Sequence, residues 1–169
     1  MKNSNEHTIS LLVNNEPGVL SRVAGVFSSR GYNISSLCVA ETRNPAVSRI
    51  TLTSDADADF TEKVIKQLDK LVDVIDVADF SGPSFMQREL MLIGFRLRRE
   101  EHKEFMRAVE LLGCRIVSMA GDYLILEVTG RKEETEAVLS FLTPLGAKVM
   151  NRTGTIAIQW DGNGESTDD

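Results

Sequence analysis

The residues with the most chemical content lie in one run, Asn15 to Leu37, NEPGVLSRVAGVFSSRGYNISSL. Pro17 and Gly18 stand where a helix opens, and neither carries a side chain bulky enough to shield the first-turn amides. Such a helix N-terminus suits a carboxylate, through its free N–H groups and the positive end of the macrodipole. Asn15 lies just ahead, with an amide that both donates and accepts. Asn33 follows the helix and is expected to begin the next strand. If two copies pair their sheets, Asn33 of one faces the Pro-Gly loop of the other, and Leu12, Leu20, Val39 and Ala40 shape a small apolar slot. A free α-amino acid needs this set: a carboxylate cradle, polar groups for its ammonium and an apolar recess. The same residues also support a purely structural reading, with Pro17-Gly18 as a helix-start turn and Asn33 as a loop cap.

Other chemistry is short of parts. The chain has only His7 and His102, which leaves little material for His-rich metal sites or Ser/His/Asp arrangements. Cys38 and Cys114 form no CxxC pair, so a zinc ribbon and a disulfide framework are excluded and free thiols are expected. Neither GxxxxGK[ST] nor GxGxxG occurs. The run Arg96, Arg98 and Arg99 reads as a solvated edge, and His102 as a surface residue.

The elements that must position the Asn15–Leu37 run follow from periodicity. Ile9, Leu11 and Val13 alternate, as in a half-buried strand. Val19, Leu20, Val23, Val26 and Phe27 recur at helical spacing, and Gly31 sits where a left-handed C-cap belongs. Residues 34–42 and 47–53 read as strands, 59–71 as a helix and 74–80 as a strand. Ser81-Gly82-Pro83-Ser84 is a linker signal, after which the order repeats. Residues 90–97 form a strand, 101–112 a helix, 115–120 and 123–129 a hairpin over Gly121-Asp122, 132–142 a helix, and 148–160 strand material broken at Thr153-Gly154. The expected fold is α+β: two tandem βαββαβ ferredoxin-like sandwiches. The boundaries are 1–80 for the first domain, 81–87 for the linker, 88–160 for the second domain and 161–169 for a disordered acidic tail. Gly25 interrupts the first helix at a cost of about 1 kcal/mol against Ala, which close packing on a sheet or another chain would offset. Trp160 is expected to cover the rim of the second sheet.

Composition narrows the class. The 169 residues are 42% hydrophobic and 26% charged, ordinary for a globular protein, and the net charge of -6 argues against nucleic acid as a partner. No stretch has the unbroken apolar length of a membrane span, and MKNSNEHTIS has no apolar core of a secretory signal, so the expected address is cytoplasmic. Units of roughly 70 residues bury little surface, and four-stranded sheets leave edges, so a homodimer or higher oligomer is expected.

The run Asn-x-Pro-Gly-Val-Leu-x-Arg-Val-x-Gly-x-Phe, followed by Arg-Gly-Tyr-Asn-Ile-x-Ser-Leu, resembles the regulatory small subunit of acetolactate synthase (acetohydroxyacid synthase), whose N-terminal half is an ACT domain. Residues 88–93, 127–130 and 152–154 resemble that family's C-terminal domain. Gly94, where the family commonly has Lys, Val149-Met150-Asn151 and Gln159-Trp160 depart from its pattern. The resemblance implies a chain with no active site or cofactor of its own. Its partner would be a catalytic large subunit carrying thiamine diphosphate, a divalent metal and FAD. It would raise that subunit's activity and confer feedback inhibition by valine or a related branched-chain amino acid bound between two ACT domains. Carried over by position, the effector-binding residues are Asn15, Gly18, Asn33 and Ala40, with Pro17, Val19, Leu20 and Val39 around them. Asn15 and Asn33 would hold polar ends, Gly18 would admit the carboxylate and Ala40 would border the side-chain slot. The rival readings are a stand-alone amino-acid sensor acting on another partner and, more remotely, a small enzyme on a ferredoxin-like sandwich.

Overall fold

Two runs of βαββαβ, each closing an antiparallel sheet against two helices, make up the computed structural model. It describes residues 6–160 apart from 56, 57, 83 and 99, without the side chains of 58–60. The expected acidic tail at 161–169 and Arg99 lie outside the described residues. Contacts divide the chain into Met1–Met86 with Gly154–Asp169, and Gln87–Thr153.

In the first unit the elements are β1 (Glu6–Asn14), α1 (Val19–Ser28), β2 (Ser36–Glu41), β3 (Val47–Asp55), α2 (Ala58–Leu68) and β4 (Val74–Asp79). The sheet order β2-β3-β1-β4 leaves β2 at one edge. The alternation in β1 has the expected effect: Ile9, Leu11 and Val13 meet Ile50 and Leu52 of β3 and Val19, Val23, Phe27, Val64 and Leu68 of the helices in one core. On the other face Thr8, Ser10, Thr51 and Thr53 are also buried, whereas Ala40 is exposed and Arg49 half-buried. α1 ends through Gly31 at φ +73°, a left-handed residue that stops the helix as its type requires. β2 is shorter than expected. Asn33 does not begin it but lies in the loop before Ser36, because the chain pairs with β3 only after Ser35 donates to Thr53 O at 2.8 Å. Gly25 has nothing of this chain within 4 Å of where a Cβ would stand, so packing against the sheet does not explain it.

In the second unit β5 (Phe85–Arg96), α3 (His102–Leu111), β6 (Arg115–Ala120), β7 (Tyr123–Gly130), α4 (Lys132–Leu142) and β8 (Ala147–Arg152) repeat the topology, in the order β6-β7-β5-β8. Met91, Ile93, Phe95, Phe105, Leu124, Leu126 and Leu142 fill its core, with Phe95 edge-on to Phe105 at 4.8 Å. His102 is partly exposed at the start of α3. At Gly94, one of the departures, a Cβ would stand 2.3 Å from the Tyr123 hydroxyl, so a side chain there would require the Tyr123 ring to move.

Two boundaries differ from expectation. β5 starts at Phe85, inside the stretch read as linker, where Phe85 stacks on Phe80 at 4.2 Å. The last stretch divides at Gly154. β9 (Ile156–Gln159) pairs with β5, and Gly154 onward groups with the first unit through Thr155 N–H to Ser36 Oγ (3.0 Å) and Trp160 N–H to Ser84 O (2.6 Å). Trp160 is 57% exposed and does not cover the rim of the second sheet.

Candidate functional site

The start of α1 is built by a tight turn. Glu16 O accepts the Val19 N–H at 3.3 Å, with Pro17 and Gly18 at the corners and Gly18 at φ +86°. That is the type II pattern, which asks for Pro and then a residue of positive φ. The first helical bond runs from Arg22 N–H to Gly18 O, and the helix has neither a side-chain cap nor an acid in its first turn. Val19 N–H is spent on Glu16, so the amides of Leu20 and Ser21 remain as the open donors at the positive end of the helix.

Asn15 is tied to the β2–β3 connection. Its N–H donates to Ala46 O, and Nδ2 donates to Pro45 O at 2.9 Å and to Glu41 Oε1 at 3.2 Å. Both amide hydrogens are used, which leaves Oδ1 as an acceptor suited to a donor such as an ammonium. These bonds place Asn15, and the turn that follows it, at the Glu41 end of β2.

Arg22 carries information that spacing alone left unweighted. It stands four residues after Gly18, which turns its side chain back over the first turn. Its Nη1 is 3.1 Å from where a Gly18 Cβ would be. Nε and Nη2 hold Asp73 Oδ2 at 2.7 and 2.5 Å, and Asp73 is buried to 8% exposure. A guanidinium is thus fixed beside Gly18 at the start of α1.

Asn33 lies elsewhere. Its carbonyl accepts Ser54 Oγ at 2.7 Å, and Ser54 sits opposite His7, whereas the Asn15 end of the sheet has Asn14 opposite Val47. Seven strand residues separate those rows, roughly 23 Å at the usual rise. Within one chain the two asparagines cannot touch the same amino acid. The apolar candidates also divide. Val39 pairs with Ile50 and Leu11 on the helix-bearing face, whereas Ala40 stands in a row with Arg49 and Leu12 on the other face. Val19 is a correction: its side chain is 4% exposed and belongs to the core, so it offers a ligand only backbone.

The equivalent place in the second unit is a cleft of about 670 Å³ floored by Leu97, Phe105 and Leu145. Cations (Arg96, Arg98, Lys148) and carboxylates (Glu101, Glu104, Asp122) both line it. Arg96 and Arg98 are exposed, as a solvated edge predicts, and Arg96 Nη1 lies 3.9 Å from Asp122 Oδ2. Among the described residues no group of three His, Cys, Asp or Glu is placed to hold a metal ion, and no helix is long and apolar enough to cross a membrane. Both cysteines are free and half-buried, and burial pushes the Cys114 thiol pKa up.

Both halves of the chain match known families. Residues 9–76 match the family described as AHAS small subunit-like ACT domain, and residues 88–161 the family described as small subunit of acetolactate synthase. A probable acetolactate synthase small subunit of Archaeoglobus fulgidus is 40% identical over 153 residues, 90% of this chain and 96% of that protein. The acetolactate synthase small subunit of Mycobacterium leprae is 38% identical over 152 residues, 90% of each chain. The crystal structure of the small subunit from Thermotoga maritima superposes with a TM-score of 0.84 at 34% identity, covering 91% of this chain and 96% of that one. With both halves matched and relatives aligned along nine-tenths of its length, the chain belongs to the acetolactate synthase small subunit family.

Proposed function

We propose that this chain is the regulatory subunit of an acetolactate synthase, without an active site of its own. It docks on a catalytic large subunit, raises its activity and confers feedback inhibition by valine or a related branched-chain amino acid. Thiamine diphosphate, a divalent metal and FAD belong to the large subunit, in the cytoplasm.

The observation that carries the effector reading is the separation of Asn15–Gly18 from Asn33 along a sheet whose edge strand lies between them. When two copies pair their β2 edges about a two-fold axis, the strands run antiparallel, and the Ser36 end of one meets the Glu41 end of the other. Asn33 of the second copy then comes to the open amides of α1, and a site split within one chain is completed between two. The Leu20 and Ser21 amides, approached over Gly18, and Arg22 take the carboxylate. Asn15 Oδ1 and Asn33 take the ammonium. Leu20 and Val39 border the side chain, with Ala40 at the strand edge and Pro17 fixing the turn. Because the ligand bridges two copies, its binding favours one arrangement of the pair, which is the differential affinity that allostery requires.

Calorimetric titration with valine, for the chain alone and with the large subunit, tests this. Wild type is expected to bind saturably, and Asn33→Ala to lose at least about tenfold in affinity, one charge-assisted hydrogen bond's worth, while still activating the large subunit. Loss of activation together with binding would make Asn33 structural. Valine binding without any effect on the large subunit would make the chain a stand-alone sensor.

A further inference from the structure

We propose that Ser36, Gly154 and Thr155 form a latch that positions the entry of β2, and with it Asn33, for effector binding. The inference rests on the effector reading above and adds positioning residues to it. Gly154 has φ +80°, and a Cβ there would stand 2.8 Å from Ser36 Oγ and 3.4 Å from both the N and O of Leu37. Conformation and space therefore both require glycine at this point of closest approach. The next residue, Thr155, is 5% exposed, and its N–H donates to Ser36 Oγ at 3.0 Å.

Asn33 sits three residues ahead of Ser36 in the loop between α1 and β2. Two bonds from β3 hold this loop: Ser54 Oγ–H to Asn33 O (2.7 Å) and Ser35 N–H to Thr53 O (2.8 Å). Thr155 supplies a third anchor to the strand entry, from outside the sheet. The residue before Gly154 is itself fixed, since Thr153 N–H donates to Leu90 O at 3.0 Å and Thr153 Oγ1 accepts the Leu90 N–H at 3.1 Å. Upstream, Arg152 Nη1 donates to Glu136 Oε1 at 2.6 Å. A single left-handed residue thus separates a segment fastened to β5 and α4 from a hydrogen bond to the strand that carries Val39 and Ala40. An effector that needs Asn33 in place favours the latched state, and the latch raises effector affinity by the same factor.

The test is valine titration of the full-length chain, together with hydrogen exchange at the Thr155 amide. Ser36→Ala leaves the backbone unstrained and removes the acceptor. It is expected to weaken valine binding about tenfold and to abolish valine-dependent protection of that amide. Ser36→Thr keeps the hydroxyl and is expected to restore both. A lowered melting temperature in Ser36→Ala with unchanged valine affinity would overturn the latch as a positioning device. So would affinity lost in Asn33→Ala but intact in Ser36→Ala, with the effector reading left standing. Absence of valine binding by wild type, with and without the large subunit, would overturn both.

Discussion

Helices α1 and α3 both lack a side-chain cap, but α1 opens at Gly18 with no acid in its first turn, whereas α3 opens at Glu101, whose carboxylate accepts the Arg98 N–H at 2.8 Å, with Glu104 following in the first turn. The edge strands differ too. β2 keeps register with β3 from Ser36–Thr53 to Glu41–Ser48, whereas β6 slips against β7 between Ile116 and Ser118, leaving Val117 as an extra residue. Apolar exposure does not separate the edges: Leu37 and Val39 are 38% and 43% exposed, and Val117 and Met119 are 41% and 50%. What separates them is backbone regularity, since a bulge spoils a strand as a template for another strand. One topology therefore occurs twice. Its first copy leaves the helix start without a carboxylate and the sheet edge regular, and its second places Glu104 in the first turn and blunts its edge.

The largest expected effect is on assembly. Val39→Lys puts a cation on the open edge, close to its counterpart across the two-fold axis of a pair, and is expected to leave a monomer at concentrations where wild type is dimeric. Met119→Lys on the bulged edge should leave the oligomer intact. Sedimentation of the two variants checks this, and the contrast between edges collapses if both behave alike.

Next in size is a graft of the second unit's first-turn acid onto the first. Ser21 occupies the third helical position of α1, as Glu104 does in α3. Ser21→Glu should stabilise the helix by about 0.3–1 kcal/mol through the macrodipole. It should also set a carboxylate against that of the ligand, cutting valine affinity by roughly 100-fold. Chemical denaturation and titration read the two together, and unchanged affinity would remove the α1 amides from the site.

The smallest effect concerns pH in the second unit. The hydrogen bond from Arg152 holds the Glu136 carboxyl below the usual glutamate range, against the opposing cost of burial. A carboxyl whose folded pKa is depressed stabilises above its unfolded value and loses that contribution as pH falls through the folded one. Stability should therefore decline below about pH 4.3, and Glu136→Gln should flatten that decline. The pair is half open to solvent, with Glu136 47% exposed, so under about 1 kcal/mol is at stake. Melting curves from pH 3 to pH 6 would show it, and identical slopes for both proteins would count against it.

The order of elements was legible because it depends on neighbours in sequence. Alternation at Ile9, Leu11 and Val13, helical spacing from Val19 to Phe27, and Gly31, Gly113 and Gly121, all at positive φ, each announce an element within a few residues. The Pro17-Gly18 turn was legible for the same reason, since it defines its own helix start. The fixing of Arg22 by Asp73 was not, because the partners stand 51 positions apart.

Sequence alone therefore determined the fold class, the repeat of the βαββαβ unit and the residue types available for an amino acid, all consequences of short-range periodicity and backbone conformation. Tertiary structure decided which of those residues share a place. Strand register put Asn33 at the far end of the sheet from Asn15, core packing turned Val19 inward, and the chain beyond Gly154 returned to the first unit. Such outcomes depend on pairings between distant segments, whose partners are chosen by burial and hydrogen bonding across the whole unit rather than by any local pattern.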